Sequence, residues 1–202
     1  LSLNPKLLFA LLLLGLAPAA ADTTPLILPN QDVAVSYQVS SPGRPDQSYQ
    51  LEYDAAGQRA RINNPAQGTY FLVNLPAGTA QMVVPQLNSV VNAPDLSGLT
   101  RQITDASHNA RFTPLGHSQY AGLACENWLV LSSQGSATAC LTADGVALHF
   151  TGKNAHGSGQ VTATAVNFAP QPSADFNPPS GLNSITLPPG VLQQLMNGGQ
   201  AP

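Results

Sequence analysis

The chain has 202 residues, of which 43% are apolar and 8% charged, and its formal net charge is −3. The charged share is about a third of the globular norm, and Ser, Thr, Asn, Gln, Gly and Pro fill the gap instead of apolar residues. That length supports one domain with its own core. Beyond the N-terminal stretch the only cationic side chains are Lys153, Arg44, Arg59, Arg61, Arg101 and Arg111, too few to track a phosphate backbone, which excludes nucleic acid as a partner.

Residues 1–21 have the layout of a secretory signal. Lys6 supplies the positive start, Leu7 to Leu16 the apolar run, and Ala19-Ala20-Ala21 a small-residue cleavage site before Asp22. The run is shorter than the roughly 20 residues of a membrane-spanning helix, so a transmembrane protein is not expected. The first cysteine is Cys125, so no lipobox is present. The expected location is therefore periplasmic or secreted. Residues 22–31 form an extended, Pro-containing lead-in.

Strict alternation begins after that. Val33, Val35, Tyr37 and Val39 point one way and Ala34, Ser36 and Gln38 the other, the signature of a half-buried strand. Turn residues at Ser41–Asp46 lead into Tyr49, Leu51 and Tyr53, which alternate with Gln50, Glu52 and Asp54. Ala56-Gly57 turns the chain into Arg59–Asn63, with Ala60 and Ile62 inward. Thr69–Leu75 is apolar on both faces and reads as a central strand. Ala80–Val84, with Met82 inside, and a short strand near Val90 complete an antiparallel meander. Glu52 and Asp54 face Arg59 and Arg61 across a turn, which predicts cross-strand ion pairs.

Asp95–Ser107 breaks the alternation. Leu96, Leu99 and Ile103 have weak helical spacing, so a short helix or loop over the sheet is expected. Strands resume at Arg111–Leu115, Cys125–Leu131 and Ser136–Thr142. The Asp144-Gly145 turn follows, then Val146–Phe150, and Val161–Phe168 is the last strand. Residues 32–168 thus form the β domain. Residues 169–202 form a Pro-rich tail, with Leu192, Leu195 and Met196 in a short C-terminal helix.

Two cysteines in an exported chain predict one disulfide. A hairpin centred near Ser132 and Ser133 sets Cys125 opposite Cys140. No CxxC spacing points to redox or metal chemistry.

His108, His117, His149 and His156 form no HxxxH or HExxH pair, so no metal or other cofactor is expected. His149 alternates with Leu148 and Phe150 and should face the polar side. Gly116-His-Ser-Gln-Tyr120 matches the G-x-S-x-G nucleophile elbow except at Tyr120, and it lacks the strand-to-helix setting. A hydrolase is therefore disfavoured, and no catalytic residue is assigned.

Several segments resemble the DUF4412-type family of exported bacterial proteins, itself similar to the LolA/LolB-like lipoprotein carriers. They are the meander Tyr49–Val91 with Ala80-Gln-Met-Val-Val-Pro85, then Tyr120-Ala-Gly-Leu-Ala-Cys125-Glu-Asn-Trp128, Cys140-Leu-Thr-Ala-Asp-Gly-Val146 and Phe176-Asn-Pro-Pro-Ser-Gly181. The resemblance covers residues 32–181. It implies an open half-barrel outside the cytoplasm and no catalytic residues.

The expected fold is mainly β: a highly curved antiparallel sheet or half-barrel of about nine to eleven strands with one or two short helices. The leading functional expectation is a binding module whose curved sheet holds a lipid, another apolar small molecule or a peptide. Tyr37, Leu51, Tyr53, Phe71, Met82 and Trp128 are the candidate lining residues. The alternative is a structural or protein-interaction component of the cell envelope.

Overall fold

The computed structural model describes residues 24–93, 96, 98, 100, 109–132, 135–154 and 157–191. The signal-like stretch, most of Asp95–Ser107, His108, His156 and the C-terminal Leu192, Leu195 and Met196 lie outside the described residues.

The first meander runs through β1 (Val33–Ser40), β2 (Gln47–Asp54), β3 (Arg59–Asn64), β4 (Thr69–Asn74), β5 (Thr79–Val84) and β6 (Ser89–Asn92). The second runs through β7 (Arg111–Tyr120), β8 (Leu123–Ser132), β9 (Gly135–Leu141), β10 (Ala147–Asn154) and β11 (Gly157–Asn167). A short β12 (Asn183–Thr186) comes from the Pro-rich tail. All belong to one 12-stranded sheet of order β12-β6-β5-β4-β3-β2-β1-β11-β10-β9-β8-β7. Every pairing is antiparallel except β12 on β6, which is parallel. Among the described residues the two complete helical elements are 3-10 turns at Pro85–Leu87 and Ser173–Phe176, and the two expected short helices fall mostly outside those residues. Leu96, Gly98 and Thr100 also have helical backbone.

The sheet is a splice of two meanders. β1 joins them by pairing with β2 on one side and β11 on the other. β6 and β7, consecutive in the chain, consequently lie near opposite ends of the sheet, joined by a connection of which Ala93, Leu96, Gly98, Thr100, Asn109 and Ala110 are described. Its described residues show which face it takes. Leu96 is buried against Val73 and Ala80, and the Thr100 hydroxyl donates to the Gly78 carbonyl at 3.3 Å. We call this the inner face.

On the inner face, Val33, Val35 and Tyr53 pack with Cys125, Cys140, Val146, Leu148 and Ala163. Val73, Ala80, Ala93 and Leu96 form a neighbouring group. Ala60 packs against both, so the two are one continuous apolar surface. Burying each such side chain contributes about 1.5–3 kcal/mol, which makes this the main source of stability.

The opposite face of the first meander carries Glu52, Arg61, Tyr70 and Leu72, and the tail straps it. Gln171 donates its amide N–H to Asp32, the Phe176 ring lies 5.3 Å beneath the Arg59 guanidinium, and Leu182 packs on the group formed by Tyr70, Leu72, Val83 and Val90. β12 then closes the edge of β6. The lead-in is fixed as well. Asn30 N–H bonds the Asp144 carbonyl, and Gly145, at φ +84°, leaves room for the Leu28 carbonyl, against which any Cβ there would clash.

The disulfide forms as expected, with Cα atoms 5.4 Å apart. The register differs from the sequence expectation. Asn127, not Cys125, sits opposite Cys140, so the bridge runs diagonally across the β8–β9 hairpin.

Candidate functional site

The inner face of the first meander presents one register-aligned row: Val35, Leu51, Ile62, Phe71, Met82 and Val91. Its two ends are buried, Val35 at 2% exposure and Val91 at 6%, while Leu51, Ile62, Phe71 and Met82 between them are only half-buried. The alternation of β2 to β5 aims these four side chains the same way, and antiparallel pairing stacks them side by side. One register step away, Tyr53, Val73 and Ala80 are buried, the last two packed in one group with Leu96. The half-buried row therefore lies beside a filled core.

The sequence candidates fall into two places. Tyr37, Leu51, Tyr53, Phe71 and Met82 share the inner face. Tyr53, 3% exposed, is a core side chain there. Tyr37 donates its hydroxyl to the Ala147 carbonyl at 2.8 Å, tying β1 to β10. Burial pushes the ionisation of both phenols up, with the Asp54 charge adding to the effect on Tyr53, so both are neutral near pH 7. Trp128 lies apart. It is 4% exposed in a group with Ala139 and Leu141, and it meets Phe112 edge-on with ring centroids 6.4 Å apart.

The electrostatics of the inner row follow from where the charges go. Arg59 bonds Asp54 at 2.6 Å and Arg61 approaches Glu52 at 3.8 Å, as the cross-strand expectation required. Arg61 also lies over the Tyr70 ring at 4.0 Å. By strand alternation Arg61 and Glu52 belong to the opposite face from Ile62 and Leu51. No described residue of the inner row is charged.

A groove of about 610 Å³ lies elsewhere, over the far ends of β8 to β11, lined by Leu129, Ala137, Thr138, Thr151 and Gln160 with Pro42 at its rim. None of the six sequence candidates lines it. A smaller recess of about 320 Å³ includes Tyr37 and Tyr49.

His117 and Ser118 are consecutive residues of β7 and so project to opposite faces. The Ser118 hydroxyl accepts from the Asn127 amide at 2.7 Å, and β7 is an edge strand rather than the elbow of a parallel sheet. Among the described residues no group of three His, Cys, Asp or Glu side chains is placed to hold a metal. His149 departs from the simple alternation. A bulge between Ala147 and His149 brings it opposite Cys140, where burial lowers its pKa and its Nδ1 lies 3.0 Å from the Thr162 hydroxyl.

No protein-family model matches the chain, and no curated protein matches it. Among solved structures, an uncharacterized conserved protein from Thermus thermophilus superimposes with a TM-score of 0.56, covering 78% of this chain and 91% of that one at 10% identity. The two share a fold. The Pseudomonas aeruginosa MucA/MucB complex gives 0.44 at 13% identity, covering 77% of this chain and 58% of the matched one. A Vibrio parahaemolyticus domain named for outer membrane lipoprotein sorting gives 0.38 at 11% identity, covering 73% and 89%. These two likenesses are too slight to build on.

Proposed function

We propose that this protein is an exported binding module that takes an apolar ligand, such as a lipid acyl chain, against the inner face of its first meander. The half-buried row Leu51, Ile62, Phe71 and Met82 carries the reading. Four large apolar side chains in register, uncharged and next to a closed core, offer an acyl chain a surface that water wets poorly. The disulfide fits an oxidising compartment outside the cytoplasm, and no described helix is long and apolar enough to cross a membrane.

Titration with a naphthylamine dye that brightens in apolar surroundings tests this. Saturable binding, displaced by a fatty amphiphile and weakened about tenfold or more in Met82→Asp, is expected. A variant that binds as well as the parent would remove the inner row from the account.

The interaction alternative draws less support. β7 is the longer of the two edge strands, the other being the four-residue β12, but Pro114 lacks an N–H and the ladder slips between Pro114 and Gly116, two devices that discourage strand addition on β7.

A further inference from the structure

The groove of about 610 Å³ over the far ends of β8 to β11 takes no part in the inner-face reading, and its lining follows the strand register. Thr138, Thr151, Gln160 and Ser40 are successive cross-strand partners and make one wall. Ser136 and Ser158 both pair with Lys153, two residues along on the same face, and make the other. Between the two rows Ala137, Gly152 and Gly159 pair in turn. Alternation turns the Ala137 methyl to the opposite face and the glycines have none, so the floor of the groove is backbone. The result is a trough laid across β9, β10, β11 and β1, about 14 Å long at roughly 4.8 Å per strand. Its volume falls in the range of small-molecule pockets, roughly 300–1,000 Å³.

The walls carry hydroxyl and amide groups with bonding capacity to spare. The Thr138 and Thr151 hydroxyl oxygens lie 2.5 Å apart and share one hydrogen bond, which leaves the pair a second proton to donate. Among the described residues the Gln160 side chain makes one bond, from Nε2 to the Thr162 hydroxyl at 3.3 Å, so its Oε1 and its second N–H remain for a guest. Leu129 and Pro42 add carbon surface at the two ends.

We propose that this trough is a second binding site, independent of the inner row, and that its ligand is a short saccharide lying across the strands. A sugar chain is elongated, offers hydroxyls along its edges and C–H groups on its ring faces, and can replace the water on both walls bond for bond. An acyl chain would cover the same hydroxyls and return no hydrogen bonds, a cost the inner row does not impose. An extended peptide finds no unpaired backbone here, because β9, β10 and β11 each have a strand on both sides.

Calorimetric titration with cellotriose and with chitotriose, the trimer of N-acetylglucosamine, tests it. At least one should bind saturably, with a Kd in roughly the millimolar range or tighter. The double variant Thr138→Val with Thr151→Val removes both hydroxyls together at constant shape and in residues suited to strands, so it should fold and weaken that binding about tenfold. Gln160→Ala, at an exposed position, should keep the parent melting temperature and weaken binding roughly threefold or more. Met82→Asp should bind the sugar as the parent does, which separates this site from the inner row. Failure of both sugars to bind the parent overturns the proposal, as does unchanged affinity in either trough variant. Displacement of the sugar by a fatty amphiphile overturns it too, because it marks a shared apolar site.

Discussion

The ring of Tyr120 lies flat on that of His149, with centroids 4.6 Å apart and planes 8° from parallel. Tyr120 ends β7, the outermost strand, and His149 is on β10, with β8 and β9 between them. The stack therefore spans strands that are not neighbours, and it measures how tightly the second meander curls. Tyr120 also packs on the group that holds the disulfide. Tyr120→Ala should lower unfolding free energy by about 1–3 kcal/mol in urea, part from lost area and part from the ring contact. Tyr120→Phe should keep nearly all of it. A silent alanine variant would mean the curl is held elsewhere.

His149 and Asp54 make stability fall on the acid side in two separate steps. The His149 pKa is lowered from 6.5 by burial, so the unfolded chain binds the proton first. Its contribution is complete above pH 6.5 and declines as pH drops through the lower folded value. The Asp54 carboxyl is held below 3.8 by the Gly57 amide, then by Arg59, so its contribution is present above pH 3.8 and is lost on further acidification. Melting temperature followed from neutral to acid pH should show both declines, and His149→Phe should remove only the upper one.

The diagonal bridge constrains a loop with a sequence separation of 15 residues. Reduction, or replacement of Cys125 and Cys140 by Ala, should lower stability by about 3 kcal/mol in the chain-entropy description. Both cysteines are buried, Cys125 at 4% and Cys140 at 1% exposure, so mild reductant should act slowly on the native protein and fast once urea is added. Thiol labelling against time separates the two regimes.

Phe176 is the buried knob of the tail strap, under Arg59 and 6% exposed. Phe176→Ala should destabilise by about 3 kcal/mol or more and expose the tail to proteolysis near Asn177 before the sheet unfolds. Simultaneous cleavage of tail and sheet would show that the strap is not a separable unit.

Much of this was legible in the sequence because strand alternation is a local signal. Val33–Val39, Tyr49–Tyr53 and Ala60–Ile62 announce their faces within a few residues, and the Asp54–Arg59 and Glu52–Arg61 pairs follow from a short turn. What was hidden depends on distant partners. The pairing of β1 with β11 joins residues more than a hundred apart, and nothing near Val35 specifies Val166. His149 escaped because a single bulge shifts the phase of β10. β12 escaped because Asn183–Thr186 is short and exposed and sits among prolines; the one hint was β-branched Ile185 and Thr186 between Gly181 and Pro188. In the candidate site, the alternating Leu51, Phe71 and Met82 were readable.

Native mass spectrometry of the protein purified from a bacterial periplasm, run beside Met82→Asp, tests the binding reading most directly. The account predicts a parent protein carrying extra mass in the lipid range that organic extraction removes, and a folded variant from which that mass is missing. A parent of bare sequence mass that also fails to take up added amphiphile, or a variant loaded as fully as the parent, would contradict it.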